Sequence, residues 1–276
     1  MIDAAIATGD AKKVAIVIEL AKATNPDDVA EIELIDADFM DQQEKLAATE
    51  KQAKEDAIRS ADLFDYWGGR GEIGAFRNTG TSSNTGITAG LKLERIGIDW
   101  RHKFRGQVNY QRTNGVTSRE QFLAVYEPNY ALSDRLYVYG LTQYERDRFQ
   151  GYSARYSFSG GAGYRLIDEQ GAHLSIKAGP AYRETKFLTG TSESNLAALA
   201  AVDFDLALTD RIKLTEDASA YHQSGNSTYI SATGLEAGLG GGLVARLSYK
   251  VEHDSHPPAR SAKTDTFSRF TLIYGF

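Results

Sequence analysis

Apolar and polar side chains alternate along the stretch Ile98-Asp-Trp-Arg-His-Lys-Phe-Arg-Gly-Gln-Val-Asn-Tyr110. Successive side chains of an extended strand point to opposite faces, so Trp100 and Phe104 share one face and Arg101 and Arg105 share the other. The alternation lasts 13 residues. Strands of soluble proteins have about 5–6 residues, whereas a tilted strand that crosses a bilayer needs about 9–11. The stretch therefore predicts a membrane-crossing strand.

The same two-residue period recurs from residue 66 to the end of the chain. Because lipid offers the backbone no hydrogen-bond partner, a sheet inside a bilayer has to close on itself. A soluble barrel or sandwich with an ordinary core is the alternative, but it would bury the apolar faces in a shared centre. We predict an all-β transmembrane barrel, an up-and-down meander of about 12 antiparallel strands, preceded by an N-terminal α-helical segment. The predicted strands are 66–77, 84–96, 98–112, 118–130, 135–147, 153–167, 172–186, 194–208, 211–223, 227–240, 243–253 and 263–276.

The predicted connections alternate in length along the chain. Short turns at one rim and longer loops at the other are typical of outer-membrane barrels, in which the short turns are periplasmic. With an even number of strands, the first strand begins and the last strand ends at the short-turn rim. This arrangement predicts a bacterial outer-membrane location with the N-terminal helices in the periplasm. The short connections are Gly97, Ala131–Asp134, Asp168–Gly171, Thr209–Asp210 and Gly241–Gly242, and the longer ones are Asn78–Ser83, Thr113–Thr117, Arg148–Tyr152, Phe187–Glu193, Ser224–Asn226 and Asp254–Ala262.

Composition divides the chain near residue 63, which predicts an N-terminal helical extension over 1–62 and a barrel over 63–276. The first part has a net charge of −8, one glycine and no tyrosine or tryptophan, whereas the second contains 25 of the 26 glycines and all 15 tyrosines. The absence of cysteine excludes disulfides and thiolate metal sites. No apolar stretch approaches the roughly 18 residues that a membrane-spanning helix requires.

Two helix starts are predicted in the N-terminal part. Asp10 is a candidate N-cap for a helix over 11–23, although its β-branched run is also compatible with a strand. Asn25 followed by Pro26 predicts the start of a second helix, whose apolar residues recur from Val29 to Phe39. This segment is either a solvated helical hairpin or stalk, or a helix that docks a partner through the apolar stripe. Residues 1–20 lack the basic start and apolar core of a signal peptide, so we expect a mature form or a fragment.

The polar faces of the strands are expected to line the lumen, and the apolar faces to meet lipid. Two interpretations of the lumen remain open: a paired charge network that fills a closed barrel, or a basic excess that lines a narrow, anion-favouring pore. The predicted lumen-lining residues are Lys92, Arg101, Lys103, Arg105, Lys177, Arg183, Arg246, Lys250, Arg269, Glu72, Glu94, Asp99 and Glu252. The predicted membrane-facing residues are Ile98, Trp100, Phe104, Leu247, Tyr249, Phe270, Leu272 and Tyr274.

Aromatic residues near strand ends predict the interfacial girdle and the end of the barrel. Barrels of the outer membrane carry aromatic girdles at both lipid–water interfaces. Phe276 ends the chain after an alternating strand, as expected of a terminal strand that the barrel-assembly machinery recognises. The predicted girdle consists of Tyr66, Tyr110, Tyr130, Tyr137, Tyr164 and Tyr274.

No pattern in the sequence predicts a catalytic site, a metal site or a cofactor. His222 lies near Asp217, Ser219 and Ser224, which leaves a hydrolase at the barrel rim as an alternative function. The sequence His253-Asp254-Ser255-His256 contains metal-binding residue types, but a solvated loop before the following prolines explains it better.

The segment Tyr66-Trp-Gly-Gly-Arg-Gly-Glu-Ile-Gly-Ala-Phe-Arg-Asn-Thr-Gly-Thr-Ser-Ser-Asn-Thr85 resembles the opening hairpin of the salt-induced outer-membrane proteins, a domain of unknown function numbered 481. The segments Gly160–Leu166 and Gly179–Arg183 and the terminal Phe276 are also similar to that family. The resemblance covers residues 66–276 and departs at Thr79–Ser82, where the family has a Gly-Asn-Ser order. It implies an outer-membrane β-barrel and brings no activity or site residues.

We therefore predict a non-enzymatic outer-membrane barrel of structural or passive-transport type. The alternatives are the rim hydrolase and an adaptor that docks a partner through its periplasmic helices. The expected partners are outer-membrane lipid, the barrel-assembly machinery through the C-terminal strand, and a periplasmic partner of the helices, but no nucleic acid.

Overall fold

The computed structural model describes residues 1–62, 65–78, 84–257 and 263–276. The chain forms two compact units, Met1–Leu63 and Phe64–Phe276. The first unit is helical, and within the described ranges none of its helices has the length and hydropathy needed to cross a bilayer. Its helices are α1 (Ile2–Ile6), α2 (Ala11–Thr24) and α3 (Val29–Ser60).

Asp10 caps α2, as the sequence predicts, and the strand alternative for this segment is wrong. Its Oδ1 accepts hydrogen bonds from the backbone N–H groups of Lys12 and Lys13, at 3.0 and 3.3 Å. These two donors have no partner within the helix, so the carboxylate satisfies them. The same bonds, with the Lys13 N–H first, hold the pKa of Asp10 below its usual value.

The second helix starts later than predicted. Asn25 lies at the C-terminal end of α2, where its Nδ2 donates to the carbonyl of Ala21 at 3.0 Å. Its φ of −130° and ψ of 75° are not helical, because a residue that precedes proline is pushed out of the helical region. Residues 25–28 therefore form a turn, and α3 begins at Val29 with Asp28 in the N-cap position.

The helical unit has its own apolar core. Ile32 and Phe39 of α3 are buried there together with Val14 and Ile18 of α2 and Ala5 of α1. Two residues of the predicted docking stripe are therefore covered by helices of the same unit and offer no free surface.

The second unit is a closed barrel of 12 antiparallel strands, each paired with its neighbours in sequence. The first and last strands close it through four register pairs, from Arg70 with Gly275 to Ile73 with Leu272. The predicted barrel is confirmed, and every predicted strand boundary lies within two residues of the observed one. The strands are β1 (Trp67–Asn78), β2 (Asn84–Ile96), β3 (Trp100–Thr113), β4 (Val116–Ala131), β5 (Leu136–Asp147), β6 (Tyr152–Glu169), β7 (Ala172–Phe187), β8 (Ser192–Ala207), β9 (Ile212–Gln223), β10 (Ser227–Gly240), β11 (Leu243–Asp254) and β12 (Thr264–Gly275).

The two rims differ less in loop length than the sequence predicts. The terminal rim, where β1 begins and β12 ends, has turns of two to four residues. At the opposite loop rim, the expected long loop 113–117 is a two-residue turn, because Asn114 and Gly115 take φ values of +50° and +79° and close a tight hairpin. Nine residues, 255–263, separate β11 from β12, and most of them, like most of the predicted loop 78–83, lie outside the described residues.

Candidate functional site

The outer face of the barrel is apolar, and its side chains do not converge on a shared centre. Of the eight predicted membrane-facing residues, seven are between 37% and 63% exposed, and Phe104 is partly exposed. Trp100 packs against Tyr130 at a ring-centroid distance of 5.1 Å, beside the turn 97–99 of the terminal rim. An apolar exterior on a closed barrel, edged by aromatic residues, is the architecture of a transmembrane β-barrel of the outer-membrane type.

One residue of the predicted girdle lies inside the barrel. Tyr137 is buried, and its ring covers Gly163 of the neighbouring strand. A Cβ at Gly163 would lie 2.1 Å from Tyr137 Cζ, so only glycine leaves room for the ring. The prediction that Tyr137 belongs to the girdle is therefore wrong, because the odd-numbered residues of β5 face inward.

An apolar cluster on one side of the interior was missed by the sequence analysis. It joins side chains of β4, β5, β7, β8 and β9. The available signal was the run Leu136–Leu141, which is apolar on both faces of the strand apart from Gly140. The cluster consists of Val125, Tyr137, Tyr139, Leu141, Ala181, Leu199 and Tyr221.

Ion pairs between strands that are not neighbours cross the interior. Lys92 of β2 lies 3.7 Å from Asp217 of β9. Arg70 of β1 lies 3.2 Å from Glu236 of β10, and Lys177 of β7 binds Glu127 of β4. Each of these contacts is possible only if both side chains project into the barrel.

The other predicted lumen residues are placed as follows. Arg101 pairs with Glu94, Arg246 with Glu72, and Lys250 with Glu252, at 3.2, 3.8 and 2.8 Å. Arg183 Nη1 donates to Thr228 Oγ1 at 3.0 Å, and Arg269 Nη1 donates to Thr88 Oγ1 at 3.2 Å. Lys103 interacts electrostatically with Asp203, and Arg105 forms no hydrogen bond or ion pair with any residue that the structure describes. Asp99 differs from the rest: it is exposed in the turn 97–99, at the rim rather than on the wall.

The interior is asymmetric in charge, and its acidic side was missed. Asp203 of β8 and Asp217 of β9 are directly paired in the sheet, while Arg105 and Lys103 stand on β3, six strands around the barrel from β9. Arg105 interacts electrostatically with Asp217, as Lys103 does with Asp203. The signal was available, because the alternation in 194–208 and 211–223 assigns both acids to the inner face.

A layer of buried polar side chains lies inside the barrel near the loop rim. The turn 148–151 is held by Asp147, whose Oδ1 accepts from the N–H groups of Phe149 and Gln150 at 2.9 and 3.0 Å. From this turn Gln150 Nε2 reaches Asp265 of β12 at 3.4 Å, across the barrel. We call the buried side chains around this turn the packed layer: Gln150, Arg155, Arg183, Thr228 and Asp254.

The residues of the proposed hydrolase do not come together. His222 is exposed on the outer face, whereas Asp217 faces the interior in its ion pair with Lys92. His222 Nδ1 instead lies 3.0 Å from Oγ of Ser227, which is buried. In the segment His253–His256, His253 Nδ1 lies 2.8 Å from Thr264 Oγ1, within hydrogen-bond distance. Among the described residues, no three metal-binding side chains come together.

The chain is similar in sequence or in fold to several known proteins. The chain is 24% identical over 203 residues to the uncharacterized protein YdiY of Escherichia coli (strain K12), covering 74% of this chain and 80% of that protein. Its fold is similar to an outer-membrane channel from Pseudomonas putida F1, with a TM-score of 0.47, 9% identity and coverage of 79% of this chain and all of the other. It is also similar to the translocator domain of the autotransporter NalP from Neisseria meningitidis, with a TM-score of 0.43, 13% identity and coverage of 85% and 98%.

The family prediction made from the opening hairpin is confirmed over most of the barrel. The family model described as "Protein of unknown function, DUF481" matches residues 71–276, which begins within β1 and includes every later strand. The chain therefore belongs to the DUF481 family.

Proposed function

We propose that the protein is an outer-membrane barrel for passive transport, with a narrow lumen that favours anionic solutes. The observation that carries the proposal is the solvent exposure of Lys92 and Asp217. Their side chains meet across the interior, yet they remain 36% and 32% exposed. Both side chains therefore border open space inside the barrel, as a solute path requires.

The distribution of basic residues supports the preference for anions. Arg101, Lys103 and Arg105 follow one another along the inner face of β3, and Arg105 has no acidic partner in contact. Basic side chains that line a pore attract anions and repel cations. The acids on the opposite wall reduce this effect, so the expected selectivity is weak.

The strand count and the turns support an orientation. The first strand begins and the last strand ends at the terminal rim, whose turns have two to four residues. The loop rim includes the nine-residue connection 255–263. Since short turns of outer-membrane barrels are periplasmic, we assign the terminal rim and the N-terminal helices to the periplasm. In this proposal lipid contacts the outer face, and the assembly machinery recognises β12 and Phe276.

Planar-bilayer recording of the purified full chain tests the proposal. We expect discrete current steps and, in a salt gradient, a reversal potential displaced towards the anion. Arg101→Glu combined with Arg105→Glu should move the reversal potential towards the cation. Arg211→Glu, in the turn 208–211, is the matched control and should leave it unchanged. A cation preference in the wild type would contradict the proposal.

A closed structural barrel is the second candidate, and the packed layer is the observation that favours it. Arg183 and Thr228 are almost completely buried, and the side chain of Gln150, from the turn 148–151, reaches Asp265 on the other side of the barrel. If the folded protein gives no current steps and does not make vesicles permeable to small ions, this candidate replaces the pore.

A further inference from the structure

We propose that the barrel interior contains a binding site for one small oxyanion, such as a phosphate or carboxylate group. The site would bind the kind of solute that the proposed pore favours, and its physiological role rests on that proposed function. It is formed by five basic side chains on the adjoining strands β11, β12, β1, β2 and β3. We call these side chains the cationic cluster: Arg70, Lys92, Arg105, Arg246 and Arg269.

The cationic cluster holds like charges close together. Lys92 is near enough to Arg70, Arg105 and Arg246 for their charges to repel, and Arg269 interacts in the same way with Arg246. Such a grouping is unfavourable unless negative charge compensates it.

The carboxylates that face the cationic cluster do not balance it. Asp217 lies 3.7 Å from Lys92, and Glu72 lies 3.8 Å from Arg246. Glu236 is shared between Arg70 at 3.2 Å and Arg246 at 3.7 Å. Three carboxylates thus form ion pairs with Arg70, Lys92 and Arg246, whereas Arg105 and Arg269 form no ion pair among the described residues.

Unused hydrogen-bond donors point to the missing partner. The Nε atoms of Arg105 and Arg269 are buried and have no hydrogen-bond partner in the described chain, and the buried Nε of Arg246 has only a 3.7 Å contact with Glu236 Oε1. Arg246 is only 7% exposed, so its Nε has little access to bulk water. A buried donor without a partner destabilises the folded state. An oxyanion accepts hydrogen bonds from several guanidinium groups at once and supplies the negative charge that the cluster lacks.

The backbone makes room for Arg246 at this site. A Cβ at Gly234, on the neighbouring strand β10, would lie 2.7 Å from Arg246 Nε and 2.8 Å from Nη2. The guanidinium therefore lies flat against the wall, where any residue larger than glycine would displace it.

Equilibrium dialysis of inorganic phosphate against the detergent-folded full chain, at constant ionic strength in chloride, tests the site. We expect one phosphate per wild-type chain and at least tenfold weaker binding by Arg105→Gln. This variant should fold, because Arg105 makes no hydrogen bond or ion pair to lose. Arg165→Gln is the control and should bind as the wild type does, since Arg165 pairs with the carboxylate of Asp168 and donates to the backbone carbonyl of Asp134, away from the cluster.

Thermal unfolding gives an independent readout. Without phosphate, Arg105→Gln should unfold at or above the wild-type temperature, and phosphate should stabilise only the wild type. Absence of phosphate binding by the wild type, or equal binding by Arg105→Gln, would overturn the site and mean that the donors hold water. Phosphate binding without current steps would support the site and reject the pore, whereas current steps without phosphate binding would do the reverse.

Discussion

Lys92 Nζ and Asp217 Oδ2 lie 3.7 Å apart, although their strands, β2 and β9, are separated by five steps around the barrel. This pair joins opposite sides of the wall without any backbone contact between them. It therefore braces the cross-section of the barrel.

Breaking this pair should destabilise the barrel. Asp217→Asn leaves Lys92 among like charges. We expect the free energy of unfolding to fall by about 1–3 kcal/mol, which lies between the losses typical of exposed and of buried ion pairs. Equilibrium urea unfolding in lipid vesicles, with Lys92→Gln and the double variant, gives the coupling energy. The pair Lys213 and Asp205, at 2.9 Å on neighbouring strands, is the control and should couple by less than about 1 kcal/mol. Equal coupling in both pairs would contradict a bracing role for Lys92 and Asp217.

Gly163→Ala should destabilise the barrel by about 1–3 kcal/mol, because the new Cβ would overlap the ring of Tyr137. Gly160→Ala, on the same strand, is the control. The nearest atom to the added Cβ would be the backbone carbonyl oxygen of Tyr139, at an ordinary van der Waals distance of 3.5 Å. Similar unfolding midpoints for the two variants would mean that Tyr137 does not occupy the space above Gly163.

Leu247→Arg should reduce stability in lipid by about 2–4 kcal/mol, since Leu247 is exposed near the middle of β11. Leu243→Arg, at the first residue of the same strand, should cost no more than about 1 kcal/mol, because the side chain can reach the interface. Folding titrations into vesicles measure both. A larger penalty at Leu243 would place the bilayer elsewhere on the barrel.

Asp147→Ala should release the turn 148–151, because the carboxylate holds the N–H groups of Phe149 and Gln150. We expect larger current steps and a lower unfolding midpoint than in the wild type. Thr189→Ala, in another turn of the loop rim, is the control and should leave the step size unchanged. Unchanged steps in Asp147→Ala would show that this turn does not limit the current.

Asp10 should make the stability of α2 depend on pH. Its pKa is lowered by the backbone N–H bonds of Lys13 and Lys12, so its contribution is present above pH of about 4 and lost as the pH falls below that value. The ellipticity at 222 nm during thermal unfolding, at pH 7 and pH 3, measures this dependence. Asp10→Asn keeps a capping oxygen and should remove the pH dependence, whereas Asp10→Ala should lower the helix melting temperature at pH 7.

The strands were predictable because alternation is local, whereas the interior depends on which strands face one another. Residues 84–96 show their strand directly in the order of their side chains, and the structure has the same bounds. Nothing in the sequence around Lys92 indicates Asp217 as its partner, since that contact follows from barrel closure. The inward position of Tyr137 was missed because both faces of β5 are apolar there. The late start of α3 was missed because Asn25 was expected to begin this helix, whereas it caps the end of α2.

Lipid accessibility of adjacent residues shows directly which face of each strand meets the bilayer, and the absence of native cysteine makes single spin labels possible. Labels would be placed at Leu247 and Ser248, and at Phe104 and Lys103, in the vesicle-reconstituted protein. Collision rates with oxygen, which concentrates in the bilayer, should be higher at Leu247 and Phe104 than at their neighbours. Higher rates at Ser248 and Lys103 would contradict a barrel with its apolar face in lipid and its charged face inside.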